Sequence, residues 1–169
     1  MSEYISDEEQ MNRFSEWWNE HGTSLLIAVG LAIASIVGWN FYSDNRQQNI
    51  EASTALYAEY VDAAAEAKAA IAQQIKTEFP GTSVHSLVAL DEAKKAADDA
   101  NLAAATQALV EARDAAPDAL LAELAMIRLA KVQYAQGNAE EALQTRQGIR
   151  NPGYQSWALE LTGDIYLAE

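Results

Sequence analysis

Cysteine is missing from the 169 residues altogether, so the chain can build neither a disulfide framework nor a thiolate metal site. That absence excludes chemistry rather than a compartment. Histidine is nearly missing too: His21 and His85 are the only two, 64 residues apart, so no paired imidazole site is evident. There is no H-E-x-x-H, no phosphate-binding loop and no dinucleotide glycine pattern. The acid pairs Asp98-Asp99 and Glu140-Glu141 fall at helix junctions, where carboxylates favour helix N-termini, and read as structural rather than as metal ligands. The chain therefore reads as a non-enzyme with no catalytic residues, no metal and no cofactor. Bases are scarce as well. Eleven Lys+Arg against 25 Asp+Glu leave a net charge of -14, which argues against nucleic acid, whose phosphates need a clustered basic surface.

What the sequence does have is one long uncharged run. Gly22 to Ser43 is 22 residues without Asp, Glu, Lys, Arg or His. As a helix it extends about 33 Å, enough for a hydrocarbon layer of about 30 Å. It is apolar all round, unlike the one-sided helix of a soluble core. Trp17 and Trp18 precede it and Trp39, Phe41 and Tyr42 close it, placing aromatic rings at both headgroup layers. A cleaved signal peptide is disfavoured because the preceding tail is acidic and Ile36, Val37 and Trp39 continue past the small-residue Ala32-Ile33-Ala34. The stretch 24–42 reads as a permanent transmembrane helix. With Arg13 on one side and Arg46 on the other, charge alone leaves its orientation open. Gly30, Ala34 and Gly38 recur every fourth residue and offer a face where another helix can approach closely. Residues 1–23 form an acidic tail, six acids against Arg13, in which Ser6 and Glu9 make a capping box for a short amphipathic helix.

From residue 43 to 169 no strand signal occurs, and Ala, Leu, Glu, Gln and Lys dominate. Breaks at Pro80-Gly81, Asp98–Asn101, Ala116-Pro117, Gly137-Asn138 and Asn151-Pro152-Gly153 cut the segment into helices of roughly 12–20 residues. Asn138 with Glu141 repeats the capping-box logic at one of them. Between Glu51 and Phe79 nothing punctuates the pattern, which fits either a hairpin turning near Ala64 to Lys68 or one rod continuing from the span. "LAKVQYAQGNAEEAL" (129–143) is similar to a tetratricopeptide repeat. Ala130 and Ala142 stand 12 apart, Ala93 and Ala105 do the same 37 residues earlier, and Gly163 follows Ala130 by 33. The partner of Gly163 would fall near position 175, so the last repeat reads as incomplete and the sequence as a fragment or truncated form. The fold class expected is all-α: one N-terminal transmembrane helix followed by a solenoid of helical hairpins.

Such solenoids bind proteins on the face lined by the first helix of each pair. Projecting the repeat puts Leu90, Lys94, Ile127, Lys131, Tyr134, Trp157, Glu160 and Asp164 on that face. Tyr134 and Trp157 are the leading contacts, since aromatic anchors carry much interface energy.

The acidic tail running into "EWWNEHGTSLL", the span ending "VGWNFY", the helix around "ASTALYAEYV", then "IRLAKVQYAQGNAEEAL" and "YQSWALELTGDIYLAE" together resemble the ancillary SecYEG translocon subunit family over nearly the whole chain. The resemblance implies a single-pass protein of the bacterial inner membrane, N-terminus cytoplasmic and repeats periplasmic. It also implies three kinds of partner: the SecYEG translocon, a membrane-anchored periplasmic chaperone, and unfolded or emerging secreted polypeptides. The alternative reading is an envelope-assembly scaffold of the same architecture, unrelated to translocation.

Overall fold

The computed structural model describes residues 7–168, and all its regular elements are helical: α1 (Asp7–Asp62), α2 (Ala65–Glu78), α3 (Ser83–Asp98), α4 (Leu102–Ala115), α5 (Ala119–Ala135), α6 (Ala139–Gln147) and α7 (Gln155–Ala168). A single 3-10 turn, Pro152–Tyr154, precedes α7. The chain divides into two compact units with the boundary between Gln48 and Asn49. The five expected breaks all separate helices.

The first unit is one face-indifferent helix. Its apolar side chains are exposed: Leu31, Ile36, Val37 and Trp39 are each more than half accessible, and no part of its most apolar window is buried. That window lies in a helix long and apolar enough to cross a membrane. Ser35 inside it spends its hydroxyl on the Leu31 carbonyl at 2.8 Å, as an apolar environment requires. No helix end marks residues 23–24 or 42–43, so the expected division into tail, span and repeat domain is not a division into separate helices. The expected cap Ser6 lies outside the described residues.

The second unit settles the segment 51–79. α1 persists to Asp62, the chain turns at Ala63-Ala64, and α2 returns, so the stretch is both a continuation and a hairpin. Tyr60 from α1, Ile71, Ala72 and Ile75 from α2, and Val84 and Val88 from α3 form one buried cluster. The other side of α3 supplies Ala89, Leu90 and Ala93 to a second cluster with Leu109, Ala112, Ala125 and Leu129. Ala130, Ala142, Leu161 and Ile165 make a third, and Ile127, Ile149 and Ala158 a fourth. Among the described residues, each of the first three clusters joins the helices of a hairpin to the element stacked on it, which is what stacking of repeats produces.

The repeat expected from the alanine spacing is realised in atoms. Ala93 and Ala130, on the first helices of successive hairpins, are buried, as are Ala105 and Ala142 on the second helices. The turns between them match as well. Asn138 N–H donates to the Gln133 carbonyl and Gly137 N–H to the Tyr134 carbonyl, both at 2.9 Å, with Gly137 at φ +85°. Asn101 and Ala100 make the same two bonds to Ala96 and Ala97, with Ala100 at φ 57°. Both turns satisfy the last carbonyls of a helix in the Schellman manner, which needs a left-handed residue. The second cap differs from expectation. Asn101 accepts a bond from Ala104 N–H at 3.1 Å, but Asn138 makes no side-chain cap. Its expected partner Glu141 instead accepts from Gln133 Nε2 at 2.8 Å. Gln133 is buried, and its oxygen also accepts from Thr145, so a satisfied polar bridge ties α5 to α6 in place of the capping box.

Candidate protein-interaction surface

The first helices of the hairpins, α3, α5 and α7, carry the eight residues expected to line the binding face. Six of them reach solvent. Lys94, Lys131, Trp157, Glu160 and Asp164 are exposed and Tyr134 is half-buried. Leu90 and Ile127 do not: at 4% and 3% exposure they belong to the core, where each packs between its own helix and the neighbouring hairpin. The period that places them is sound, but a projection by repeat number cannot separate the solvent edge of a helix from the edge its neighbour covers.

The structure joins α5 to α7 directly at this face. The Tyr134 hydroxyl donates to the Asp164 carbonyl at 3.2 Å, leaving the ring edge half-open. At the start of α7, Trp157 is 48% exposed and stacked on Tyr154, centroids 5.9 Å apart and planes 25° from parallel. Tyr154 is a contributor the sequence reading missed. It stands three residues before Trp157, a spacing that puts neighbours on one helix face. The fixed platform of two rings is what an interface anchor requires: large apolar area with little rotamer freedom left to lose. Lys94 is held by Asp98 at 2.9 Å.

Behind α3 lies a polar network that fixes α2, α3 and α4 to one another. Lys76 Nζ donates to Glu92 Oε2 at 2.5 Å and to Glu111 Oε2 at 2.8 Å. His85 Nε2 lies 3.1 Å from the other Glu111 oxygen, while its buried Nδ1 has no partner. Burial of Glu111 pushes its carboxyl upward, but the bonds from Lys76 and His85 outweigh this and hold it below the ordinary range. Burial of Lys76 favours its neutral form, yet its two carboxylate bonds keep it above the ordinary lysine value. The network is structural in character: Lys76 bridges two carboxylates from α3 and α4, and His85 holds the second Glu111 oxygen. Among the described residues no three His, Cys, Asp or Glu side chains converge as a metal site would need.

In the first unit, Gly30, Ala34 and Gly38 are all exposed, and a Cβ added at Gly30 or Gly38 meets no atom within 4 Å. The small-residue face is open to a neighbour.

The tetratricopeptide repeat-like domain family matches residues 15–169. The chain belongs to that family. Three curated relatives align with all of it. The ancillary SecYEG translocon subunit of Haemophilus influenzae is 27% identical over 172 aligned positions, covering 84% of that protein. The protein of the same name from Aggregatibacter actinomycetemcomitans is also 27% identical over 84% of its length. The Escherichia coli protein of that name is 24% identical over 83%. The likeness to ancillary translocon subunits carried by the quoted motifs therefore extends over the whole chain. No solved structure matches it.

Proposed function

We propose that this member of the repeat family is a membrane-anchored, non-enzymatic interaction module that associates with the SecYEG translocon. The observation that carries the reading is the end-to-end match to three relatives, each named an ancillary subunit of that channel. The exposed apolar helix supports an anchor in the inner membrane, and the open face at Gly30, Ala34 and Gly38 is the seat for a channel helix. The N-terminus lies in the cytoplasm and the repeats in the periplasm. There, together with a membrane-anchored chaperone, they assist secreted polypeptides as these emerge, through Lys94, Lys131, Tyr134, Trp157, Glu160 and Asp164. Anchoring contributes by itself, because it holds the repeat surface at high effective concentration beside the channel exit.

The natural lack of cysteine makes orientation simple to test. Asn12→Cys and Ser156→Cys each introduce one thiol at an exposed position on either side of the apolar run. In intact spheroplasts a membrane-impermeant maleimide labels only the Ser156→Cys protein; labelling of Asn12→Cys alone reverses the topology. Co-purification of channel subunits from the same membranes tests the association.

A further inference from the structure

A half-enclosed trough of about 550 Å3 opens between the end of α1, α2 and α3. Its lining includes the small apolar Ala65, Ala69 and Ala72 of α2 together with Tyr60, Lys68 and Lys95. The carboxylates along it are already engaged. Asp91 accepts the Tyr60 hydroxyl at 2.7 Å, Asp98 is held by Lys94 at 2.9 Å, and Glu92 is bound by Lys76, which is not part of the lining. Lys95 points to Asp99 at 3.7 Å. Lys68 is the exception. Its ammonium sits 5.0 Å from the centroid of the Tyr60 ring, and among the described residues it has no carboxylate partner. Tyr57 stacks behind Tyr60 at 5.9 Å, so the ring beneath the cation is fixed.

Exposed Lys131 likewise has no ion pair among the described residues, but Lys68 differs in lining a trough and standing over an aromatic face. The aromatic face attracts it but does not neutralise it. We infer that this trough binds an extended polypeptide segment by seating one of its Asp or Glu side chains on Lys68. The three alanines admit a main chain lying close against α2, and the open side lets the chain enter and leave without ending there. The volume is that of sites which bury a few residues or a small ligand. This deepens the proposed function by naming the chemistry recognised in a client, and rests on that reading.

The test uses the full chain in detergent micelles and two fluorescein-labelled, C-terminally amidated pentapeptides, Ala-Leu-Glu-Leu-Ala and Ala-Leu-Gln-Leu-Ala. Fluorescence anisotropy should show the Glu peptide binding roughly tenfold tighter than the Gln peptide, as a charge-assisted bond demands. Lys68→Gln should abolish the difference, Lys68→Arg should restore it, and Arg128→Gln, exposed on α5, should leave it intact. Tyr60→Phe keeps the ring but releases Asp91 into the trough, and should weaken the Glu peptide. Equal binding of both peptides overturns the inference, as does tighter binding of a third peptide, the Gln sequence with a free C-terminal carboxylate, which would assign the trough to chain ends. Because the peptide comparison is internal to the wild-type protein, misfolding of a variant does not obscure it. Co-purification of channel subunits is read separately: its failure strikes the proposed function, whereas equal peptide binding with the channel still present strikes only the trough.

Discussion

Ala100 and Gly137 occupy the same place in successive turns, and only one of them suits it. A non-glycine residue in the left-handed region costs about 1–2 kcal/mol, part of which is returned by its stiffer unfolded chain. Ala100→Gly should therefore stabilise the protein by about 0.5–1 kcal/mol, and Gly137→Ala should cost about 1 kcal/mol. Urea titration followed by circular dichroism in detergent checks both, and equal effects in one direction would refute the shared geometry. The ion network makes a second residue-scale prediction. Glu111 is held below its ordinary 4.5, so its contribution is complete above about that pH and disappears as pH falls through the lower folded value. Lys76 is held above 10.5, so its contribution is complete below that pH and is lost as pH rises further. Discounted for a glutamate side chain 38% exposed, the acid-limb loss is about 1 kcal/mol. Glu111→Gln should flatten the fall in urea midpoint between pH 5 and pH 3, roughly the window set by the carboxylate.

At the scale of the element, the crossing residues of the first helices make opposite predictions. Ala130 is fully buried where α5 meets α6 and α7, so Ala130→Leu overpacks the crossing and should cost about 1–3 kcal/mol. Gly163, next in the series, is exposed, and an added Cβ touches nothing within 4 Å. Gly163→Ala should stabilise α7 by about 0.5–1 kcal/mol through helix propensity alone. Denaturation midpoints of the two variants moving apart would confirm that the period is shared while the packing is not. The boundaries from α2 onward were readable in the sequence because Pro, Gly or Asn interrupts an alanine-rich pattern at each of the five breaks. The turn at Ala63-Ala64 was readable only as one of two alternatives, a hairpin near Ala64 to Lys68 or a continuing rod, because it uses only alanine and its cause is tertiary: Tyr60 must meet Ile71 and Ile75. The cap at Asn138 failed for a similar reason, since Gln133, buried one helix earlier, takes Glu141 away.

For the whole molecule, six of the eight residues projected onto the proposed partner face reach solvent, and the period could not separate the buried Leu90 and Ile127 from them. Trp157 stacks on Tyr154 at the exposed start of α7, while Tyr134 packs against the cluster holding Leu161 and Ile165 and bonds to α7 through its hydroxyl. Replacing Tyr134 and Trp157 together by Ala should leave helical content unchanged while weakening capture of a partner by tenfold or more, as loss of aromatic anchors does. A collapse of the circular dichroism signal would instead make them core. The Lys68 trough was illegible in sequence: Tyr60 and Asp91 are 31 residues apart, and nothing in either neighbourhood announces the other.

In the proposed function, the span holds the anchored repeat module at the channel. That role is tested most directly by purifying the full chain in mild detergent from its own membranes, beside a version whose residues 24–42 are replaced by an unrelated span, and identifying the co-purifying proteins by mass spectrometry. SecYEG subunits should accompany the native span and be lost with the substitute. Absence of every channel subunit from both samples would contradict the account and leave an anchored helical-repeat scaffold of the envelope.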